Sequence, residues 1–249
     1  MKIILAPLFE DQKRKILSYI ENFDHLGTLI GKGGRNKIKL FELDGKTINI
    51  KSFKIPNKLN QIIYKYFRKS KAERSFTYAK FLISKNIGTP APIAFAEINS
   101  SFLFSKSYYI SEYLHCDLTY RELVTNPDFP DHEQILRAFT RFTFRLHENG
   151  IEFLDHSSGN TLIQINDKNF NFFLVDLNRM NFKQLNFDER MKNFSRLTPK
   201  MDMVKVMADE YSKLIQRNSE EVFEKMWFFT NKFQENYQRK KNLKQKFRI

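Results

Sequence analysis

The sequence predicts an α+β fold of two lobes, with a β-rich N-lobe over residues 1–110 and a mainly helical C-lobe over residues 111–249. Period-two alternation of apolar residues, which is typical of strands, is concentrated in the first lobe. Helical spacing of apolar residues dominates the second lobe. The 249 residues are enough for two lobes that share a cleft, and the 26 phenylalanines can supply a substantial core.

The N-lobe is predicted to contain a helix, a glycine-rich loop and a β-hairpin, in that order. Residues 8–21 have the apolar spacing of a short amphipathic helix, and a glycine-rich stretch follows at residues 27–34. Residues 37–43 alternate as a strand, and residues 47–53 return as its partner. The Asp44-Gly45 pair between them is a strong signal for a two-residue hairpin turn. We therefore expect a hairpin whose first strand follows a flexible glycine loop.

The later elements follow the same two patterns. After Pro130, apolar residues keep helical spacing until Asn149-Gly150, a pair that is typical of a helix end. Towards the C-terminus, Thr198 is expected to cap a helix whose first residue is Pro199, and the helical pattern continues to near the end. The other predicted elements are helices over 59–67 and 70–85, and strands over 93–98, 107–111, 162–165 and 172–175.

The composition excludes several classes of protein. No window approaches the roughly 18 uncharged apolar residues of a membrane-spanning helix, and the apolar start before Pro7 is too short for a secretory signal. The single cysteine, Cys116, excludes an intramolecular disulfide and a cysteine-built metal site. We therefore expect a cytoplasmic location. The formal net charge of +14 fits an anionic partner, but it also fits a general composition bias towards lysine.

The strongest chemical signal lies around the hairpin predicted in the C-lobe. Asp155 precedes Asn160 by five positions, and Asn160 leads directly into the first strand of that hairpin. Asp176 follows the second strand. Because a hairpin brings its two ends together, we expect Asn160 and Asp176 to converge near Asp155. Residues of these types also dominate ordinary turns, so it is the joint pattern that favours a functional site.

The transfer of a phosphoryl group from ATP requires residues of these types. A divalent metal bridges the phosphate oxygens, and hard cations such as Mg²⁺ prefer oxygen ligands. Asp176 would supply a charged oxygen and Asn160 a neutral one. Asp155 would then accept or orient the proton of an acceptor hydroxyl, which is worth about 10²–10⁴-fold in rate. The pattern therefore predicts a phosphotransferase centre that uses ATP and Mg²⁺.

This pattern resembles the catalytic loop and the metal-binding aspartate of the protein-kinase superfamily. More narrowly, LHENG at residues 146–150, followed by DHSSGN at residues 155–160, is similar to the lipopolysaccharide kinases of the Kdo/heptose kinase family. DLNRM at residues 176–180 and the run at residues 190–197 also resemble that family, and the resemblance extends from about Gly27 to about Leu197. It implies a two-lobed protein-kinase-like fold and phosphorylation of a sugar hydroxyl of the lipopolysaccharide core or lipid A, on Kdo or heptose.

The sequence also departs from protein kinases. Phe153 stands where many of them carry a histidine, no Ala-Pro-Glu segment follows Asp176, and the activation segment is short. These departures argue against a peptide substrate and favour a small-molecule or glycolipid acceptor. Two alternatives stay open. One is a kinase of a soluble sugar or an aminoglycoside-like acceptor, and the other is a catalytically silent binding module with a kinase fold.

The resemblance also implies an ATP-binding half in the N-lobe. Lys51 lies in a segment similar to the Val-Ala-Ile-Lys strand of kinases and would hold the ATP phosphates, with Lys54 as a nearby competitor. Glu73 would be the ion-pair partner of Lys51, although it fits the exposed surface of a helix almost as well. Backbone amides of the glycine-rich loop would cover the phosphates, at Gly31, Gly33 and Gly34.

A segment after the strand at residues 107–111 resembles a kinase hinge. Backbone groups there, at Glu112 and Leu114, would hydrogen-bond to adenine. Asp117 would either reach the ribose or cap the next helix. These assignments complete the nucleotide site that the resemblance implies.

Basic residues are concentrated in two clusters. One spans residues 65–71, where it is interleaved with aromatic residues, and the other lies at residues 239–248, where no acid occurs. With an anionic glycolipid as acceptor, these clusters would hold the protein at the inner face of the cell membrane, although each also fits a solvated surface. We expect ATP and such a glycolipid as partners of a monomer. We expect no nucleic acid, because no helix-turn-helix, zinc-finger or RNA-binding signature is present.

Overall fold

The hairpin predicted around Asp44-Gly45 is present and belongs to a larger antiparallel sheet. Leu43 pairs with Lys46 across the turn, and both turn residues have positive φ, 50° at Asp44 and 80° at Gly45. Two positive φ angles are typical of the type I′ turn, whose twist matches that of the flanking strands. The two-residue turn therefore fixes the register of the strands on either side of it.

The computed structural model describes residues 1–31, 36–99, 103–167 and 169–246 of the chain. It divides into two units, Met1–His115 and Cys116–Ile249, where the sequence predicted lobes over 1–110 and 111–249. The elements of the first unit are β1 (Lys2–Leu5), α1 (Lys13–Glu21), β2 (Thr28–Ile30), β3 (Lys37–Leu43), β4 (Lys46–Phe53), α2 (Lys58–Tyr66), α3 (Lys71–Ser84), β5 (Pro92–Asn99) and β6 (Phe104–Glu112).

The described strands of the first unit form one six-stranded sheet in the order β1-β5-β6-β4-β3-β2, with antiparallel neighbours. Alternation along β4 buries Ile48 and Ile50 completely in a core that also contains residues of α1. Asn49 and Lys51 lie on the other face of the same strand and are half-buried. The period-two pattern in the sequence therefore correctly predicted which face of β4 is buried.

The beginning of the chain differs from the prediction. The expected helix over residues 8–21 is wrong at its start, because α1 begins only at Lys13 and a short 3-10 turn occupies Pro7–Phe9. The residues before this turn form the unpredicted strand β1, in which Lys2–Leu5 pair with β5. Four residues are too few for alternation to identify a strand. Here the extended conformation is stabilised by pairing with β5, which a local sequence pattern does not reveal.

Lys39 is a buried lysine that ties the segment after α1 to the sheet. It lies on the core-facing side of β3, and its ammonium group donates to the backbone carbonyls of Phe23 at 2.7 Å, Leu26 at 2.8 Å and Asp24 at 3.2 Å. A buried charge is tolerated when its donors are hydrogen-bonded in this way. The lysine therefore satisfies carbonyl groups that would otherwise lack partners where the helix ends.

The second unit combines helices with two small sheets. A three-stranded sheet has the order β10-β9-β7, and a two-stranded sheet pairs β11 with β8. The elements of this unit are β7 (Leu118–Thr119), α4 (Tyr120–Thr125), α5 (His132–Glu148), β8 (Ile151–Phe153), β9 (Thr161–Asn166), β10 (Asn169–Leu174), β11 (Met180–Phe182), α6 (Phe187–Asn193), α7 (Met201–Ile215) and α8 (Ser219–Lys246).

Aromatic rings form the centre of the second unit. Helical spacing along α5 buries Phe139 and Phe142, and both rings lie 5.5 Å from the ring of Phe172 on β10. The ring of Tyr120 lies 4.4 Å from Phe139. Burial of such large side chains is a major source of stability, and here it fixes the hairpin β9–β10 against α5.

The C-terminal helical region is divided where the sequence predicted continuity. α7 ends at Ile215, Gln216 adopts a left-handed conformation with φ of 53°, and α8 starts at Ser219. The predicted cap is also wrong, since α7 begins at Met201 and not at Pro199. The Thr198 hydroxyl accepts a hydrogen bond from the Lys200 amide at 3.1 Å, so it closes a turn ahead of the helix. Among the described helices, none combines the length and the apolar character needed to cross a membrane.

We predict that Lys39→Met lowers the free energy of unfolding by about 3 kcal/mol, because it leaves buried carbonyls without their charged donor. Urea denaturation followed by circular dichroism would measure the change. Lys37→Met is the matched control, since Lys37 lies on the same strand but is exposed, and it should change stability little. Equal effects of the two substitutions would contradict the assigned role of Lys39.

Two buried histidines predict a loss of stability in mild acid. Burial lowers the pKa of His156 to about 4 and that of His147 to about 3, whereas an unfolded histidine titrates near its ordinary value of about 6.5. Between these values the unfolded chain binds protons that the folded chain does not. Stability should therefore fall as the pH drops below about 6.5, by about 1.4 kcal/mol per pH unit for each histidine.

His156→Phe should remove one histidine's share of this slope, because phenylalanine does not titrate and suits the surrounding rings of Phe139, Phe153 and Phe194. Urea unfolding at pH 7, 6 and 5 would provide the comparison. His25→Phe, at an exposed position, should leave the slope unchanged. A slope that is the same in His156→Phe and in the wild type would contradict the burial argument.

Candidate functional site

The strand before Asp155 is held in place at both of its ends. Gly150, with φ of 67°, turns the chain out of α5, and its carbonyl accepts a hydrogen bond from the amide of Lys183 at 2.8 Å. A side chain at Gly150 would meet the Lys183 carbonyl oxygen at 3.1 Å, so the close approach also favours glycine. β8 then pairs with β11, and the amide of Leu154 donates to the carbonyl of Arg179 at 3.1 Å. Asp155 therefore follows a fixed segment.

The loop between Asp155 and Asn160 closes on itself through hydrogen bonds. The side-chain amide of Asn160 donates to the Asp155 carbonyl at 2.8 Å, and the Ser157 amide donates to the same oxygen at 2.7 Å. The Asn160 amide in turn donates to the Ser157 carbonyl at 2.9 Å. The five-residue spacing seen in the sequence is thus the length of a compact loop, and it places Asn160 beside Asp155.

The hairpin that follows brings Asp176 to the same end. Thr161 pairs with Leu174 in the β9–β10 ladder, and the Val175 amide donates to the Asn160 carbonyl at 3.0 Å. Asp176, the next residue, has a left-handed backbone with φ of 60°. The side-chain amide of Asn178 donates to its Oδ1 atom at 2.6 Å and so orients the carboxylate.

Two arginines contact the Asp155 carboxylate. Arg196 Nη1 lies 2.8 Å from Asp155 Oδ1, and Arg179 Nη1 lies 3.1 Å from the same oxygen. Arg196 Nη1 also donates to the carbonyl of Leu154 at 2.8 Å. The Asp155 side chain is 17% exposed, and its bond to Arg196 is partly buried, so this charge-assisted bond restricts the carboxylate more than the bond to the exposed Arg179 does. Sequence reasoning assigned no role to either arginine.

Residues of α6 and of the turn after it also hold the segment that leads to Asp155. The side-chain amide of Asn193 donates to the Phe153 carbonyl at 2.9 Å, and its Oδ1 atom lies 3.2 Å from His147 Nε2. Since Asn193 Oδ1 can only accept, Nε2 of His147 carries the proton, and Nδ1 accepts from the Tyr211 hydroxyl at 2.7 Å. Burial lowers the pKa of His147 and so favours this neutral form. The run at residues 190–197, noted only for its resemblance, therefore positions Asp155.

The residues implied for the nucleotide half lie in the first unit. Lys51 is half-buried on β4, with its ammonium group 5.4 Å from the centre of the Phe53 ring. Lys54 lies one residue beyond the end of that strand. Glu73 lies in the first turn of α3, where its carboxylate pairs with Lys2 at 3.6 Å and with Lys69 at 3.7 Å.

The structure describes the glycine loop in part and the hinge completely. Gly31, with φ of 71°, follows β2, while Gly33 and Gly34 lie outside the described residues. The amide of Glu112 donates to the Ala91 carbonyl at 2.9 Å, and its carbonyl accepts from the Asn49 side chain at 3.1 Å. Leu114 follows as a half-buried residue outside any strand.

Asp117 does not cap a helix. The capping role before α4 belongs to Thr119, whose hydroxyl accepts a hydrogen bond from the Glu122 amide. Asp117 Oδ2 instead accepts the amide of Ile165 at 2.7 Å, and the Asp117 amide donates to the Ile163 carbonyl at 3.0 Å. Asp117 therefore holds β9 in place.

The donor atoms at the end of the β9–β10 hairpin suit a hard cation. The nitrogen of the Asn160 side chain faces the Asp155 carbonyl, which leaves its Oδ1 atom as the group that it can offer to a metal. Asp176 adds a carboxylate. In the described ranges no group of three or more His, Cys, Asp or Glu side chains is placed to hold a metal. Two oxygen donors match Mg²⁺, which usually completes its shell with water and substrate phosphates.

Comparison with known proteins identifies the family of the chain and supports the assignment of its fold. A model of the lipopolysaccharide kinase (Kdo/WaaP) family matches residues 44–224, well over half of the chain. No curated protein sequence matches significantly. One solved structure, described as WaaP in complex with acyl carrier protein, aligns with a TM-score of 0.64 at 14% identity and covers 96% of this chain and 99% of that chain. The fold is therefore kinase-like, and the chain belongs to the lipopolysaccharide kinase (Kdo/WaaP) family.

Proposed function

We propose that the protein transfers the γ-phosphoryl group of ATP to a sugar hydroxyl of the lipopolysaccharide core or lipid A, on Kdo or heptose. The observation that carries this proposal is the carboxylate of Asp155, which is oriented by Arg179 and Arg196 and lies in the same loop as Asn160. Family membership supports the substrate class. The protein would act as a monomer at the inner face of the cell membrane, with an anionic glycolipid as acceptor.

In this mechanism Asp155 acts as the general base. Its carboxylate accepts the proton of the acceptor hydroxyl while the hydroxyl oxygen forms a bond to the γ-phosphorus, and the bond to the bridging oxygen of ADP breaks. Because Arg179 and Arg196 both bind Oδ1, the other oxygen, Oδ2, is the one directed to take the proton. The two arginines also bring positive charge to the place where negative charge builds up on the transferred group.

The remaining site residues hold the nucleotide. Asn160 and Asp176 would bind Mg²⁺, which when bound neutralises charge on the phosphate oxygens. Lys51 would hold the phosphates, with Glu73 as its ion-pair partner. The backbone amides of the glycine loop would cover them, and the backbone of Glu112 and Leu114 would bind adenine. Of these hinge groups, the Glu112 amide is already bonded to Ala91, so Leu114 is the stronger candidate.

We predict that Asp155→Asn reduces phosphorylation by about 10²–10⁴-fold and leaves ATP binding largely intact, because the amide keeps the shape of the side chain but cannot take the proton. Labelled ATP with purified lipopolysaccharide fractions, followed by mass spectrometry of the product, measures the first quantity. Calorimetric titration measures the second. Asp128→Asn, at an exposed position in the same unit, is the control.

Near-wild-type turnover in Asp155→Asn would remove Asp155 from its role. Turnover of free sugar at an undiminished rate, without lipid, would instead favour a soluble acceptor. ATP binding without transfer to any acceptor would favour a silent binding module.

We also predict that metal binding depends on nucleotide, because two protein oxygens alone make a weak site for Mg²⁺. Titration with Mn²⁺, observed by electron paramagnetic resonance, should show weak binding to the protein alone and much tighter binding once ATP is present. Asp176→Asn should weaken the nucleotide-dependent binding by about tenfold or more, since it removes a charged ligand. Asp167→Asn, in the turn between β9 and β10, should not. Tight Mn²⁺ binding without ATP would contradict the two-donor site.

A further inference from the structure

Helix α2 presents apolar side chains on the side that faces away from the sheet. Its inner side packs on β6, where the ring of Tyr64 lies 5.7 Å from that of Phe104. On the opposite side, spacings of three and four residues bring Leu59, Ile62 and Tyr66 onto one helical face. These three residues are 68%, 42% and 59% exposed.

The apolar surface extends past both ends of the helix. Ile55, just before it, is 43% exposed, and Phe67, just after it, is 83% exposed. We call Ile55, Leu59, Ile62, Tyr66 and Phe67 together the α2 face. No residue of α2 is buried, so the helix does not use these side chains to form the core of the unit. Several exposed apolar residues on one helical face and at its ends are typical of an interaction site.

Basic residues are frequent in the segment of the chain that contains the α2 face. Between Asp44 and Glu73 the chain has eight lysines or arginines and no acid. Two of the cations lie against rings of this helix, the Lys65 ammonium 5.5 Å from Tyr66 and the Arg68 guanidinium 5.8 Å from Tyr64. The basic residues nearest to the face in sequence are Lys54, Lys58, Lys65, Arg68 and Lys69.

This combination of apolar and basic residues favours a lipid surface as the partner over a protein or a nucleic acid. A protein interface is depleted in lysine at its centre, and a nucleic acid offers little to leucine and isoleucine side chains. An amphipathic helix with a basic border suits the interface of an anionic membrane, where the apolar residues enter the acyl boundary and the cations meet acidic headgroups. We propose that the α2 face is the element by which this protein binds an anionic membrane.

The inference deepens the membrane contact in the proposed function, but it rests on the first unit and not on the catalytic residues. Full-length protein would be sedimented with vesicles of phosphatidylcholine, with and without phosphatidylglycerol. The wild type should bind the anionic vesicles and bind the neutral ones weakly, and added salt should reduce the binding. Leu59→Ser/Phe67→Ser should bind anionic vesicles at least about tenfold more weakly, because it removes two exposed apolar groups.

Matched controls come from the same unit. Leu8 is 89% exposed and lies outside the α2 face, so Leu8→Ser should bind as the wild type does. Lys58→Gln/Arg68→Gln should weaken binding about tenfold or more, whereas Lys13→Gln/Arg14→Gln, with the same change in charge on exposed positions of α1, should change it far less. All of these side chains are exposed, so thermal unfolding of each variant should match that of the wild type.

Three results would overturn the inference. The first is equal vesicle binding by Leu59→Ser/Phe67→Ser and the wild type. The second is loss of binding on Leu243→Ser in the basic C-terminal segment without loss in the α2 variant, which would assign the membrane contact to α8. The third is a wild-type dimer that the α2 variant converts to a monomer, without vesicle binding by either.

Kinase chemistry is tested separately with a deacylated acceptor in solution. Leu59→Ser/Phe67→Ser should phosphorylate it at the wild-type rate, which would support a role of the α2 face in membrane binding alone. A different outcome is that vesicle binding behaves as expected but neither the wild type nor any variant transfers phosphate. The proposed function would then fail, and the inference about α2 would stand.

Discussion

The position of the Asp155 carboxylate depends on the hydrogen bonds that Asn193 and Arg196 make to the segment before it. Asn193 binds the carbonyl of Phe153, and Arg196 binds both the carbonyl of Leu154 and the Asp155 side chain. Three consecutive residues are therefore fixed from one short stretch at the end of α6. Because positioning accounts for much of the rate of phosphoryl transfer, this stretch would control the proposed chemistry through the orientation of Asp155.

The same stretch connects the loop to the rest of the second unit. Asn193 binds the neutral His147 of α5, which binds Tyr211 of α7, and the guanidinium of Arg196 lies 5.6 Å from the ring of Phe233 on α8. A chain of buried polar groups is favourable only while every member is paired. A shift of α5, α7 or α8 would therefore change the position of Asp155, although none of the residues proposed to act on substrate lies on these helices.

Features that depend on neighbours in sequence could be predicted, and features that depend on distant partners could not. The turn at Asp44-Gly45 and the closing of the loop from Asp155 to Asn160 follow from local spacing. Arg196 lies 41 positions from Asp155, and no local pattern indicates that contact. Strand β1 could not be predicted because it depends on pairing with β5. The start of α7 was mispredicted because the Thr198 side chain closes a turn ahead of the helix. Helix α2 was located correctly, but spacing could not show that its apolar side faces solvent.

Asp176 occupies a backbone conformation that favours glycine. A residue with a Cβ atom in the left-handed region costs about 1 kcal/mol relative to glycine, even though aspartate tolerates that region better than most residues. Glycine would relieve this strain but would remove the carboxylate. Glycine would also lose the hydrogen bond that Asn178 donates to Asp176 Oδ1, so selection for heat resistance would weigh relief of strain against that loss, whereas the proposed activity requires the carboxylate. The left-handed turn after β10 thus combines a backbone conformation that favours glycine with the residue proposed as a metal ligand.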